Sequence, residues 1–204
     1  MNQSASLVSG GVVNCKSIGE FIRRIAIDYV RYGYVRYVIR EIPEGKDLLA
    51  IDRKLRTHYD VISCRTTRMR RRKQQQAIVQ YVRYGQSFVL LATEGEHDQF
   101  ERLNSYDCRT APLQVESYSI GIKNQRVLVR IRHEVWASTV DYFDRLALQD
   151  IQKVEKKLNT LPYYQFPGVV RQKQKLVSQI NQRRSLAGLP LIVLAPRSKD
   201  LWCE

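Results

Sequence analysis

Three groups of residues have types and spacings suited to chemistry on a polyanion. The first is a cationic run of nine positions, in which Arg65, Arg68, Arg70, Arg71, Arg72 and Lys73 lie between Cys64 and Gln74. Guanidinium groups grip phosphate through paired N–H donors, and each neutralised phosphate releases counterions. The second group follows directly: Tyr81, Arg83, Tyr84 and Phe88. Flat rings beside arginines offer surfaces on which bases stack. The third is an acidic group with one histidine, Glu94, Glu96, His97, Asp98 and Glu101. Carboxylates and an imidazole at such spacing could hold Mg²⁺ beside a phosphate, with His97 as acid or base.

Other metal and nuclease signatures are incomplete. Histidines occur at 58, 97 and 133, so the His-x-His strand of rolling-circle and relaxase nucleases is missing. Tyr142 therefore has no such pair to serve. Glu44-Gly45-Lys46 matches the E-x-K half of a restriction-type site, but no Pro-Asp precedes it and it falls in a turn. His133 is a second candidate for metal-free RNA cleavage. Cysteines stand at 15, 64, 108 and 203, none within five residues of another, which excludes a CxxC zinc half-site. Reduced thiols and a cytoplasmic location are expected.

Elements must position these groups. Ser17 and Glu20 form a capping box that opens a helix with Ile18, Phe21, Ile22, Ile25 and Tyr29 on one face, ending at Gly33. Residues 34–42 alternate as a strand, and 46–60 carry Leu48, Ile51, Leu55 and Tyr59 on one helical stripe. The basic run is read as an arm, or as a solvated helix face. It feeds a hairpin over 77–93 that turns at Gly85-Gln86, and a short helix is expected within 94–104. A second hairpin pairs 115–122 with 127–131 and bears Lys123, Arg126, Arg130 and Arg132. Ser138 and Asp141 suggest a cap for a helix over 138–159, with Trp136, Val140, Phe143, Ala147, Ile151, Val154 and Leu158 on one stripe. The aromatic connector Leu161–Gly168 suits a hinge or a protein contact. A last helix over 169–187 carries Arg171, Lys173, Lys175, Arg183 and Arg184, and a short strand is expected at 191–194. Tyr-Val-Arg-Tyr-Gly occurs twice, at 29–33 and 81–85, in segments read as different structures.

The expected fold is therefore α+β: an antiparallel sheet of about five strands packed by helices on one face, with a ferredoxin-like or RRM-like core and a C-terminal helical extension. The expected organisation is a lead-in at 1–16, a core at 17–160 and a basic helical extension at 161–204. Tyr84–Leu91 resembles in part the RNP1 stretch of RNA-recognition motifs, at its Gly85 and its Phe88-Val89 step. It departs from that pattern at Gln86, Ser87 and Leu91, and the RNP2 position would fall near Tyr37.

The chain has 204 residues, 44% of them hydrophobic, with a formal net charge of +14. That excess attracts anions, while the apolar fraction suffices for a core. No signal peptide or membrane span is expected. The function read from these features is nucleic-acid binding, RNA ahead of DNA, as an accessory component of a ribonucleoprotein or mobile genetic element, with a further protein partner in a larger complex. No cofactor or metal is expected in that reading. The alternative is an Mg²⁺-dependent nuclease or strand-processing enzyme with its site at 94–101.

Overall fold

A computed structural model describes residues 13–61 and 64–193. The chain divides into two units, one comprising Met1–Leu113 with Gly121–Val127, the other Gln114–Ile120 with Leu128–Glu204.

The first unit opens with a two-residue strand β1 (Val13–Asn14) and helix α1 (Ile18–Arg23). The expected cap is present: Ser17 Oγ accepts from Glu20 N at 3.2 Å, and Glu20 reaches back to Lys16 N at 2.8 Å. The helix then widens into a π-helical segment, Arg24–Tyr29, and tightens into a 3₁₀ turn, Val30–Tyr32. Gly33 ends it at φ 90°, a left-handed conformation that a Cβ would disfavour. The widening alters the expected stripe: Phe21, Ile22, Ile25 and Ala26 are fully buried, while Tyr29 is only half-buried.

Strand β2 (Arg36–Glu41) leads to α2 (Leu48–His58), capped by Asp47, and to α3 (Arg65–Lys73). The hairpin β3 (Val79–Tyr84) and β4 (Ser87–Ala92) follows, then α4 (Asp98–Glu101) and β5 (Tyr106–Asp107). The sheet order is β1-β3-β4-β2-β5. β2–β4, β3–β4 and β2–β5 are antiparallel, and β1 joins β3 in parallel. β4 thus lies between β2 and β3, which α2 and α3 connect. This is the split β-α-β arrangement expected of a ferredoxin-like core.

Both faces of this sheet are covered, against the expectation of helices on one face. The α2 stripe Leu48, Ile51, Leu55 and Tyr59 packs with Val79, Tyr81, Phe88, Leu90 and Phe100 of α4. On the opposite face α1 and the π-helical segment pack on β3, where the rings of Phe21 and Tyr84 lie 6.0 Å apart.

A second, three-stranded sheet, β6-β7-β8, replaces the single sheet of the sequence reading. Its strands are β6 (Leu113–Val115), β7 (Tyr118–Lys123) and β8 (Arg126–Ile131), and each contributes residues to both units. The turn between β7 and β8 is two residues, Asn124 (φ 50°) and Gln125 (φ 60°).

In the second unit the helix expected over 138–159 is two helices, α5 (His133–Leu146) and α6 (Ile151–Asn159). Ser138 is not a cap: its hydroxyl donates to Glu134 O inside α5. Asp150 is the working cap, accepting from Lys153 N at 3.1 Å. The predicted apolar stripe survives the break. Phe143, Ala147, Val154 and Leu158 form one cluster with Leu176, Val177 and Ile180 of α7 (Pro167–Leu186). Residues of α7 therefore share a core with α5 and α6. The connector is packed too: Tyr118 meets the rings of Tyr163, Tyr164 and Phe166, and its hydroxyl accepts from Tyr164 N at 2.9 Å. Residues 191–193 form no strand, and Leu194, Cys203 and residues 1–12 of the expected lead-in lie outside the described residues. Among the described residues, no helix is long and apolar enough to cross a membrane.

Candidate nucleic-acid interface

The cationic run is a helix with no buried residue. Arg, Lys and Met are good helix formers, but nine residues are too few to hold a helix in water unaided. Arg68 and Arg72 stand four apart and Arg65 and Arg68 three apart, spacings at which like charges repel. The cations of the last turn, Arg70 to Lys73, do complement the helix dipole. Within the described residues Arg71 alone among these six cations has an ion-pair partner, Asp60. Arg65, Arg70, Arg72 and Lys73 are exposed and Arg68 is half-buried. The helix therefore carries repulsion that an external polyanion would relieve.

Its C-terminal end is fastened to the acidic loop by backbone. Ala77 N donates to Glu96 O at 2.9 Å, and Glu96 N donates to Gln75 O at 3.1 Å. Gly95 makes this approach possible: its φ is 116°, and a Cβ there would collide with the backbone of residues 75–77.

One side of α3 lines a cleft of about 590 Å³. Arg65, Arg68, Met69 and Arg72 recur at three- and four-residue steps on one helical face and form one part of the lining; Asp28, Tyr29, Tyr32 and Tyr34 form the rest. Tyr29 and Tyr34 meet edge to face at 5.5 Å, and burial pushes the Tyr29 hydroxyl up to about 12. Tyr32 is 62% exposed and Met69 53% exposed, so a ring and a thioether stand open to a ligand. Asp28 and Tyr29 belong to the π-helical segment, a rare geometry that recurs at functional sites.

The other aromatic and basic residues named from the sequence divide. Tyr81 and Arg83 do share a strand face, but it is the one that α2 covers. Tyr81 is 2% and Arg83 3% exposed. Both bind Asp52: Tyr81 Oη donates at 2.6 Å, and Arg83 Nε and Nη2 donate at 2.8 and 2.9 Å. Neither can reach a phosphate, and their assignment as contacts is corrected. Phe88 meets Tyr81 at a tilt in the same core, and Tyr84 is half-buried against Phe21 on the other face. The partial RNP1 resemblance therefore has no open aromatic platform behind it. Lys123, Arg126 and Arg130 are exposed, whereas Arg132 donates to Glu116 O and lies 3.6 Å from Glu134. On α7, Arg171 and Lys175 are exposed and Arg183 pairs with Asp144. Lys173 is buried, and burial lowers its pKa. Arg184 is 2% exposed and donates to the carbonyls of Pro190, Ala147 and Gln149 at 2.6, 2.8 and 2.8 Å. It is a structural clamp at the C-terminal end of α5, not a phosphate contact.

The acidic loop does not assemble a metal site. Among the described residues no three His, Cys, Asp or Glu side chains converge. His97 caps α4: its Nδ1 accepts from Phe100 N at 3.3 Å, and its Nε2–H then donates to Tyr59 O at 3.1 Å. Glu94 pairs with Arg109 at 2.7 Å, and Glu101 takes Arg36 bidentately at 2.6 and 2.9 Å. The Arg36 guanidinium holds the Glu101 carboxyl below its usual range. Glu96 and Asp98 are exposed, with no shared ligand position.

The sequence did not point to Asp52 as a member of the buried polar set, nor to Asp28, Tyr29, Tyr32 and Tyr34 as members of the cleft lining. A signal existed for three of them. Asp52 lies four residues after Leu48, at the border of an apolar stripe, where an acid needs a cationic partner. Tyr29 and Tyr32 belong to the first copy of the repeated pentapeptide, whose ring spacing matches that of Tyr81 and Tyr84. Compared with protein-family models, with curated proteins and with solved structures, the chain matches none.

Proposed function

We propose that this chain binds single-stranded nucleic acid, RNA ahead of DNA, in the cleft between α3 and the tyrosines of residues 29–34. One observation carries the reading: a helix with no buried residue presents Arg65, Arg68 and Arg72 to a cleft that Tyr29, Tyr32 and Tyr34 also line. Arginines hold the backbone and the open Tyr32 ring receives a base, which unpaired strands present and duplexes hide. Exposed Arg70 and Lys73 extend the positive field beyond the cleft.

Fluorescence anisotropy with a labelled U-rich 12-mer, titrated at several salt concentrations, tests this. Changing Arg65, Arg68 and Arg72 together to Gln should weaken binding and reduce the slope of log affinity against log salt by about 2, since each single-strand phosphate contact contributes about 0.7. The same changes at Lys156 and Lys157, exposed on α6, should leave the slope alone. No binding by the wild type, or an unchanged slope in the triple variant, overturns the proposal.

A further inference from the structure

The cleft contains one group that a phosphate site should exclude. Asp28 is the sole carboxylate among its eight lining residues, facing a space otherwise bordered by three arginines. A carboxylate beside a bound phosphate repels it, so its presence needs another explanation. The simplest is charge compensation within the protein. Arg23 and Arg24 lie 3.8 and 3.6 Å from the two Asp28 oxygens, too far for hydrogen bonds, and Arg24 also serves Glu20 at 3.3 Å. Within the described residues no hydrogen bond reaches the Asp28 side chain, which is 33% exposed. Its two oxygens are therefore partly exposed acceptors, each ion-paired at long range and with no hydrogen bond of its own.

A nucleobase seated against the tyrosines would bring its hydrogen-bonding edge to these oxygens. The four bases differ there. Adenine and cytosine each offer one amino donor next to a ring-nitrogen acceptor. Uracil offers one N–H between two carbonyls, both of which a carboxylate repels. Guanine alone offers two adjacent donors, N1–H and the N2 amino group, spaced to meet the two oxygens of one carboxylate.

Resting on the proposed single-strand binding, we infer that this cleft is a guanine subsite in which Asp28 accepts from N1–H and N2–H while a tyrosine ring stacks on the base. Asp28 is then a specificity-determining residue, and the arginines supply affinity without sequence preference.

The test uses the full chain and labelled U-rich 9-mers whose central base is G, inosine, A, C or U. Inosine keeps N1–H and lacks the 2-amino group. The G strand should bind roughly tenfold tighter than the other four, within the range of a two-point base contact. Asp28→Asn should bring all five to within about twofold of one another. Equal binding of all five strands by the wild type overturns the guanine subsite and leaves strand binding standing. A preference retained by Asp28→Asn overturns the role of Asp28. Failure to bind any strand removes the proposed function and this inference with it. The inosine comparison uses unmodified protein, so it tests recognition of the 2-amino group even where the variant folds poorly.

Discussion

Replacing Asp52 by alanine should unfold the first unit far more readily than any surface change. Asp52 and Arg83 form an ion pair with side chains 1% and 4% exposed, and Asp52 accepts three hydrogen bonds from Arg83 and Tyr81. Alanine removes all three. Arg83 then keeps one partner, the Gly85 carbonyl at 2.8 Å, and the Tyr81 hydroxyl keeps none of those it had with Asp52. Stranding one charge of a buried pair costs about 3–5 kcal/mol, and a buried hydroxyl left without a partner costs about 1–3 kcal/mol. Water entering the space left by the carboxylate offsets part of this, so a loss of about 4 kcal/mol is expected, a large share of a domain's stability. The first unit contains no tryptophan, so amide hydrogen exchange of β3 and β4 is the appropriate readout. A loss of that size speeds exchange roughly a thousandfold where exchange requires opening of the whole unit. The double variant Asp52→Leu with Arg83→Met removes both charges together and should recover most of the protection. Exchange in Asp52→Ala within about tenfold of wild type, or a double variant no better than the single one, refutes the reasoning.

Two further outcomes are expected. His97→Ala should cost about 1 kcal/mol through loss of the α4 cap and leave strand affinity unchanged, measured by urea unfolding and anisotropy side by side; lost affinity in a stable variant would return His97 to the site. Alkylation by iodoacetamide, mapped by mass spectrometry, should mark Cys64 well before Cys15 and Cys108. Cys64 is exposed, and the backbone N–H groups of Thr67 and Thr66 lower its pKa, so its thiolate forms as pH rises before those of ordinary thiols. Burial pushes Cys15 and Cys108 up to about 12, so they stay protonated and shielded throughout that range. Equal labelling at neutral pH would contradict the burial of both.

Local signals settled much of this molecule from the sequence. The Ser17 cap, the Gly33 stop, the α2 stripe and the first hairpin depend on a few neighbouring residues, and each lies where those residues put it; the strand expected over 115–122 is instead broken by a turn at Glu116-Ser117 into β6 and β7. The density of charge at 65–73 likewise belongs to the chain itself. Tertiary structure decided which faces were closed. Tyr81-Val-Arg-Tyr84 and Tyr29-Val-Arg-Tyr32 are the same four residues in sequence. The first is a strand whose Tyr and Arg meet Asp52 under α2; the second ends a π-helical and 3₁₀ run whose rings line the cleft with α3. Alternation along a strand sorts side chains into two faces but does not say which one a distant helix will cover. The acidic loop teaches the same lesson. Its residues are close in sequence, yet Glu94, Glu101 and His97 each find a different partner, at Arg109, Arg36 and the Tyr59 carbonyl, and they never converge. Composition and spacing determined the excess of positive charge and its clustering at 65–73. Long-range packing alone determined where an open ring, a carboxylate and the guanidinium groups of α3 meet, because burial depends on neighbours that are remote in sequence.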